Sequence, residues 1–208
     1  MSNEPHGRIL VMRHAQTVAN LQACFLGQRN APLTPAGEEQ SRAGIEGLVA
    51  WKPDRIVTSP LDRCRLAIAE PAAQRLGVPC AVDQRLIELD FGPLEDRGYR
   101  EVEELGMPLP WGPTANMWPP EEGGEPLAAY MARIKSACAD LAALEGKTAV
   151  VCHGGVIRGM LSAWIDFGFG SFWKTVVGNV ASFEFNACAS HVELVRAGID
   201  PDLLGRYA

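Results

Sequence analysis

The chain has 208 residues, enough for one domain with an insertion and for a core that needs no staple. Its formal net charge of -6 argues against electrostatic attraction to nucleic acid or an anionic membrane. Hydrophobic residues at 47% and charged ones at 21% are ordinary globular usage, and neither a repeat nor a low-complexity tract suggests a solenoid or a disordered chain.

Residues 8–12, Arg-Ile-Leu-Val-Met, read as a buried strand. Thr34 followed by Pro35 reads as an N-cap with proline at the first helical position, opening a helix over residues 36–51. Residues 55–58 read as a second strand. Ser59-Pro60 reads as the same capping device, here for a helix with Leu61, Cys64, Ile68, Ala72 and Leu76 on one stripe and a stop at Gly77. A weak strand is placed at residues 80–82. Residues 92–124 are rich in Pro, Gly and Trp and lack periodicity, so they read as a loop-dominated excursion, of the kind that often covers an active site. Leu127, Tyr130, Met131, Ile134, Cys138 and Leu141 form a helical stripe, closed by Gly146. Residues 148–152 are continuously apolar, as in a parallel strand covered on both faces. A helix over about 156–165 and a hairpin, 181–185 with 191–195, complete the chain. The expectation is an α/β fold: a three-layer open, mostly parallel sheet with helices on both faces and an antiparallel edge strand. Residues 1–208 are expected to form a single domain, with the excursion at about 92–124 over the site.

Cys24, Cys64, Cys80, Cys138, Cys152 and Cys188 are scattered, with no C-x-x-C pair. With only four histidines and no ligand spacing, the expectation is no metal site and reduced thiols in a cytoplasmic protein. The opening MSNEPHGRILVMRH lacks a basic stretch followed by an apolar one, and no run of about 18 apolar residues exists, so neither a signal peptide nor a span is expected.

Ligands of open α/β sheets bind beyond the carboxyl ends of the strands. Arg13-His14-Ala15-Gln16-Thr17 follows the first strand, Ser59-Pro60-Leu61-Asp62-Arg63 the second, and His153-Gly154-Gly155 the strand at 148–152. Two arginines and two histidines thus gather at one rim of an acidic chain, as a small anion would require. Each alone has a plainer reading: a structural histidine, ion-paired surface arginines, a His-Gly-Gly turn. The coincidence at three strand ends carries the argument. Phosphoryl transfer needs positioning and charge neutralisation more than covalent machinery. Arginine offers planar bidentate donors, neutral imidazole can attack phosphorus, and Gly154-Gly155 at a helix start admits an anion.

Val11-Met12-Arg13-His14-Ala15-Gln16-Thr17 with Asn20, then Gly27 and Pro32-Leu33-Thr34-Pro35-Ala36-Gly37, resembles the opening of the histidine phosphatase superfamily, also called phosphoglycerate mutase-like. Thr58-Ser59-Pro60-Leu61 with Arg63 resembles its second block, Leu86-Ile87-Glu88 with Phe91-Gly92 the block bearing the proton donor, Gly123-Gly124-Glu125 the entry to the next helix, and Val151-Cys152-His153-Gly154-Gly155 the last block. The resemblance implies that His14 is the nucleophile, passing through a phosphohistidine, and that Glu88 protonates the leaving oxygen. It implies that Arg13, Asn20, Arg63, His153 and Gly154 hold the phosphoryl group, and that no metal or organic cofactor is needed. A general acid contributes roughly 10²–10⁴ in rate and must keep its proton near neutrality, through burial or a like charge; Asp90 is close in sequence. The implied activity is a phosphoric monoester hydrolase of histidine acid phosphatase type. Its partner is a small phosphorylated metabolite, not nucleic acid or membrane, with substrate identity and oligomeric state open.

The chain departs from the family at Ala15, where glycine is usual, at Gln16, where glutamate is frequent, and at Pro93-Leu94-Glu95-Asp96-Arg97, where a Trp-Glu-Gly-like run often stands. Three rivals compete. A phosphoglycerate mutase-type transferase shares the site, although such mutases usually carry a larger insertion than residues 92–123. Cys152 and Arg158 have the C-x5-R spacing of a cysteine phosphatase, but that leaves Arg13, His14 and Arg63 unexplained. A non-catalytic phosphate-binding or scaffold protein is the third. Trp111, Met117 and Trp118 either line an apolar recognition pocket or pin the loop to the core.

Overall fold

A computed structural model describes residues 4–110, 112–119, 121, 123–165 and 175–208. In chain order the elements are β1 (Gly7–Arg13), α1 (Val18–Leu21), α2 (Pro35–Trp51), β2 (Arg55–Thr58), α3 (Asp62–Cys64), a π-turn (Arg65–Ala69), α4 (Glu70–Leu76) and β3 (Cys80–Val82). There follow α5 (Tyr99–Glu104), α6 (Leu127–Ala142), β4 (Gly146–Cys152), α7 (Gly154–Ile165), β5 (Ser182–Ala187) and β6 (Val192–Ile199). The strands form one sheet in the order β3-β2-β4-β1-β5-β6. β1, β2, β3 and β4 run parallel, while β5 and β6 form the antiparallel edge. The expected α/β architecture, a mostly parallel open sheet with an antiparallel edge, is therefore present.

The alternation of a strand divides β1 between two cores. Ile9 and Val11 face α6 and α7, packing with Tyr130, Ile134, Val150, Val156 and Met160. Leu10 and Met12 face α2 and the π-turn, packing with Leu48, Trp51, Ile68, Ala149 and Val151. Each such fully buried aliphatic side chain stabilises the fold by roughly 1.5–3 kcal/mol relative to exposure. Residues 9–12 of β1 and 149–152 of β4 are buried and carry no charged or hydroxyl side chain, so long polar side chains return at Arg13 and His153.

Three local expectations are corrected. The helix after β2 is not continuous: α3 passes into a π-turn before α4, though Gly77 does stop it in left-handed backbone with φ 68°. Gly146 opens β4 with φ 76° and does not close α6, whose last turn ends at Ala143. The excursion holds a helix, α5, whose Val102 packs under Phe25 and Leu94. Trp118 pins this region, donating from Nε1 to the Glu125 carbonyl (3.0 Å) and standing edge-on to Phe91. Met117 is exposed, and Trp111 lies outside the described residues.

Candidate active site

The strand ends meet because the ladder continues past the strands. His14 N donates to the Cys152 carbonyl (2.9 Å) and Ser59 N to the Val151 carbonyl (3.0 Å), locking both segments against the end of β4. His14, Arg63 and His153 are all buried there, with the two imidazole rings 5.3 Å apart.

The hydrogen bond of His14 determines its free nitrogen. Nδ1 lies 2.7 Å from the Ala15 carbonyl oxygen. A carbonyl can only accept, so Nδ1 carries the proton and Nε2 the lone pair of the neutral ring. Burial first, then the Arg63 and Arg13 charges, hold the ring's pKa well below its ordinary 6.5, so the neutral, nucleophilic form prevails at neutral pH. The left-handed backbone of non-glycine residues in the described chain is confined to Ala23, Lys52, Asp96 and Val180, so the methyl group of Ala15 brings no strain.

Arg63 is tied at both terminal nitrogens. Nη1 donates to the Arg29 carbonyl and Nη2 to the Gly27 carbonyl, each at 2.7 Å. The buried Glu95 holds that loop from the other side, accepting from Gln28 N (2.9 Å) and Arg29 N (3.2 Å). Arg13 donates from Nη1 to the Val177 carbonyl (2.6 Å). In both arginines Nε is buried without an acceptor among the described residues, and neither makes an ion pair there. Burial lowers both pKa values, yet a guanidinium stays charged. A buried N–H donor is worth roughly 1–3 kcal/mol when it finds an acceptor.

His153 Nε2 lies 2.6 Å from Ser59 Oγ. Ser59 therefore does not cap a helix: α3 starts after Leu61 with no side-chain cap, and the hydroxyl orients His153. Burial, then Arg63, His14 and Arg13, keep His153 well below 6.5 as well. Glu88 is buried above the histidines; Oε1 accepts from Leu89 N (2.9 Å) and faces Tyr130 OH (3.5 Å), while Oε2 accepts from Gly155 N (3.0 Å). A side chain at position 155 would strike Glu88 and the Tyr130 hydroxyl, so glycine is required. The backbone donor of the second residue of α7 thus goes to this carboxylate. Asp90 turns its own carboxylate to Gly92 N (2.8 Å).

A cavity of about 450 Å³ opens over this cluster. Arg13, His14, Asn20, Glu88 and Gly154 line it, whereas Arg63 and His153 stand behind the lining. Asn20 is fixed by Thr17 N (3.1 Å) and by Asn179 Nδ2 (3.4 Å), which also donates to the His14 carbonyl (3.2 Å). Sequence reasoning missed Asn179, which sits in no motif. It also missed the far wall, Phe25, Phe91 and Tyr99, and the cavity side of Arg158, whose Nε donates to the Thr175 carbonyl (2.8 Å). Arg158 one turn into the helix after His-Gly-Gly was the available signal. The C-x5-R reading fails on geometry: Cys152 is wholly buried in the core against α6 and α7, and burial pushes its thiol well above the ordinary range.

The described thiols are all free. Cys188, His191 and Glu193 each place one possible metal ligand within 4.8 Å at the β5–β6 turn. The β1–β5 register puts that turn beside Gly7, at the opposite edge of the sheet from the cavity. No described helix is long and apolar enough to cross a membrane.

A six-stranded α/β sheet with the buried His14, His153 and Arg63 and the partly buried Arg13 at its carboxyl edge defines a phosphoglycerate mutase-like fold. The chain belongs to the histidine phosphatase superfamily (branch 1), whose family profile matches residues 9–200. It is similar to a glucosyl-3-phosphoglycerate phosphatase of Mycolicibacterium vanbaalenii, 29% identical over 205 residues, covering 93% of this chain and 88% of the relative. It is also similar to a Yersinia enterocolitica protein bearing a phosphoglycerate mutase name, 29% identical over 159 residues and covering 74% and 73%. Among solved structures, the alpha-ribazole phosphatase from Shigella flexneri shares the fold with a TM-score of 0.79 at 23% identity, over 92% of this chain and 96% of the other.

Proposed function

We propose that the chain is a phosphomonoesterase that hydrolyses a small phosphorylated metabolite through a phosphohistidine at His14. The observation that carries the reading is the neutral His14, its Nε2 without a partner among the described residues, beside the guanidiniums of Arg13 and Arg63, each with a buried Nε–H that has no acceptor among those residues. Arg13 and Arg63 supply two charges, matching a phosphomonoester dianion, with Asn20, His153 and the Gly154 backbone around the same group. His14 Nε2 attacks phosphorus and the bond to the leaving oxygen breaks, while Glu88 gives that oxygen a proton. Water then attacks the phosphohistidine, passes its proton to Glu88 and releases phosphate. No step calls on a metal or cofactor. One relative bears the name of a glucosyl-3-phosphoglycerate phosphatase, and the cavity has room for a small phosphorylated alcohol.

Phosphate release from an aryl phosphate in EDTA, by wild type and by His14→Ala, tests this. Turnover that disappears in the variant is expected. Turnover that survives it removes His14 as nucleophile. A mutase, the reading favoured by the Yersinia enterocolitica relative, would release little phosphate and instead exchange it between positions of a phosphorylated acid.

A further inference from the structure

The segment that carries Glu88 has almost no secondary structure of its own. A short 3-10 turn at Gln84–Leu86 precedes it, and residues 87–91 make no strand or helix. Something else must fix the main chain there, because a general acid displaced by about 1 Å can cost 10²-fold in rate. The fixing comes from Arg133, on α6. Its Nη1 donates to the carbonyls of Arg85 and Ile87, both at 2.6 Å, and its Nη2 to the carbonyl of Glu88 at 3.1 Å. Nε and Nη2 also grip the two oxygens of Glu125, at 2.7 and 2.8 Å. A guanidinium has five N–H donors, and here all five have an acceptor. None remains for a substrate, and Arg133 does not line the cavity. The same guanidinium lies over the Tyr130 ring, 4.6 Å from its centroid, and the Tyr130 hydroxyl faces Glu88 Oε1. Glu125 completes the clamp from the other end, its N–H donating to the Asp90 carbonyl (2.9 Å).

From this geometry we infer that Arg133, locked by Glu125, is the positioning residue for the proton donor: it holds the carbonyls on both sides of Glu88 and so aims the Glu88 carboxyl at the leaving oxygen. The inference rests on the reading of Glu88 as general acid. Lysine cannot replace Arg133, since an ammonium has three donors and no planar fork. The charge of Arg133 is largely met by Glu125, so its contribution is to shape more than to the field.

The test uses leaving groups of different basicity. An alkyl phosphate needs a proton on its departing oxygen, whereas an aryl phosphate with an acidic phenol does not. Glu88→Gln fixes the signature of a lost acid: a large fall in kcat/KM, which reports the steps up to phosphorylation, on the alkyl substrate and a small one on the aryl. Arg133→Met is expected to reproduce it, with kcat/KM on the alkyl substrate down about 10²-fold and on the aryl within about threefold. Arg133→Lys should rescue little of this. Adding Glu88→Gln to Arg133→Met should cost little more, since both remove one function. If Arg133→Met does not stay folded by thermal melting, Glu125→Gln, which loosens the clamp without removing it, is expected to show the same selectivity at smaller size. Equal loss on both substrates, or no loss, in a folded Arg133 or Glu125 variant overturns the inference while Glu88 keeps its role. Absence of selectivity in Glu88→Gln itself overturns the reading of Glu88, and the inference with it.

Discussion

The two sides of the cavity are held in different ways. On the sheet side, Arg13, His14 and His153 emerge directly from β1 and β4, and the backbone ladder runs on into them. On the far side, Phe25 and Phe91 come from irregular chain and Tyr99 from the first position of α5, and they are held by ring contacts, Phe25 to Tyr99 at 4.7 Å and Phe25 to Phe91 at 5.1 Å. Tyr99 is half exposed, while His14 is 4% exposed. On the proposed reading the sheet side fixes where a phosphorus atom sits and the far side meets the rest of the substrate. That reading puts chemistry and selectivity on separable parts of the chain.

Substitutions should divide along the same line. His14→Ala removes the proposed nucleophile, and kcat on an aryl phosphate should fall roughly 10⁴-fold or more, with the melting temperature within a few degrees of wild type. Arg63→Met removes a buried charge and also frees the Gly27 and Arg29 carbonyls, so kcat/KM should drop about 10²-fold, at roughly 1.5–3 kcal/mol for each charge-assisted bond lost. Ser59→Ala leaves His153 without its partner; about a tenfold fall in kcat is expected, from roughly 1.4 kcal/mol of lost orientation. Tyr99→Ala should raise KM by about 2–10-fold in a substrate-dependent way and leave kcat nearly unchanged, the scale of one aromatic contact. An equal effect of Tyr99→Ala and Ser59→Ala on kcat would dissolve the division.

Acid should separate the two sides as well. The folded-state values of His14 and His153 are depressed, so as pH falls below 6.5 the unfolded chain takes up protons before the folded one does. The folded state keeps its full stability above 6.5 and loses it on acidification below that value. A melting series from neutral pH downward should decline less steeply in His14→Ala than in wild type, while Tyr99→Phe should follow wild type.

The strands were legible in the sequence because covered parallel strands are continuous apolar runs; β2 and β3 fall where those runs place them. His14, Arg13 and Arg63 were legible because topology alone brings strand ends together. Residues acting through main chain were not. Ser59 looks like a helix cap until His153, 94 residues on, is placed against it. Arg133 reads as the polar side of an amphipathic helix, since its three carbonyl partners have no signature in side-chain pattern. The π-turn at Arg65–Ala69 and the helix α5 escaped because both are short and neither has a side-chain N-cap.

The central claim is that His14 carries the phosphoryl group. Rapid acid-free quenching during turnover, followed by peptide mass spectrometry, tests it most directly. The account predicts an acid-labile, base-stable phosphoryl group on the peptide containing His14, absent in His14→Ala and accumulating in Glu88→Gln with an aryl substrate. A phosphoryl group found on another residue, or turnover by wild type with no phosphorylated peptide at any quench time, would contradict it.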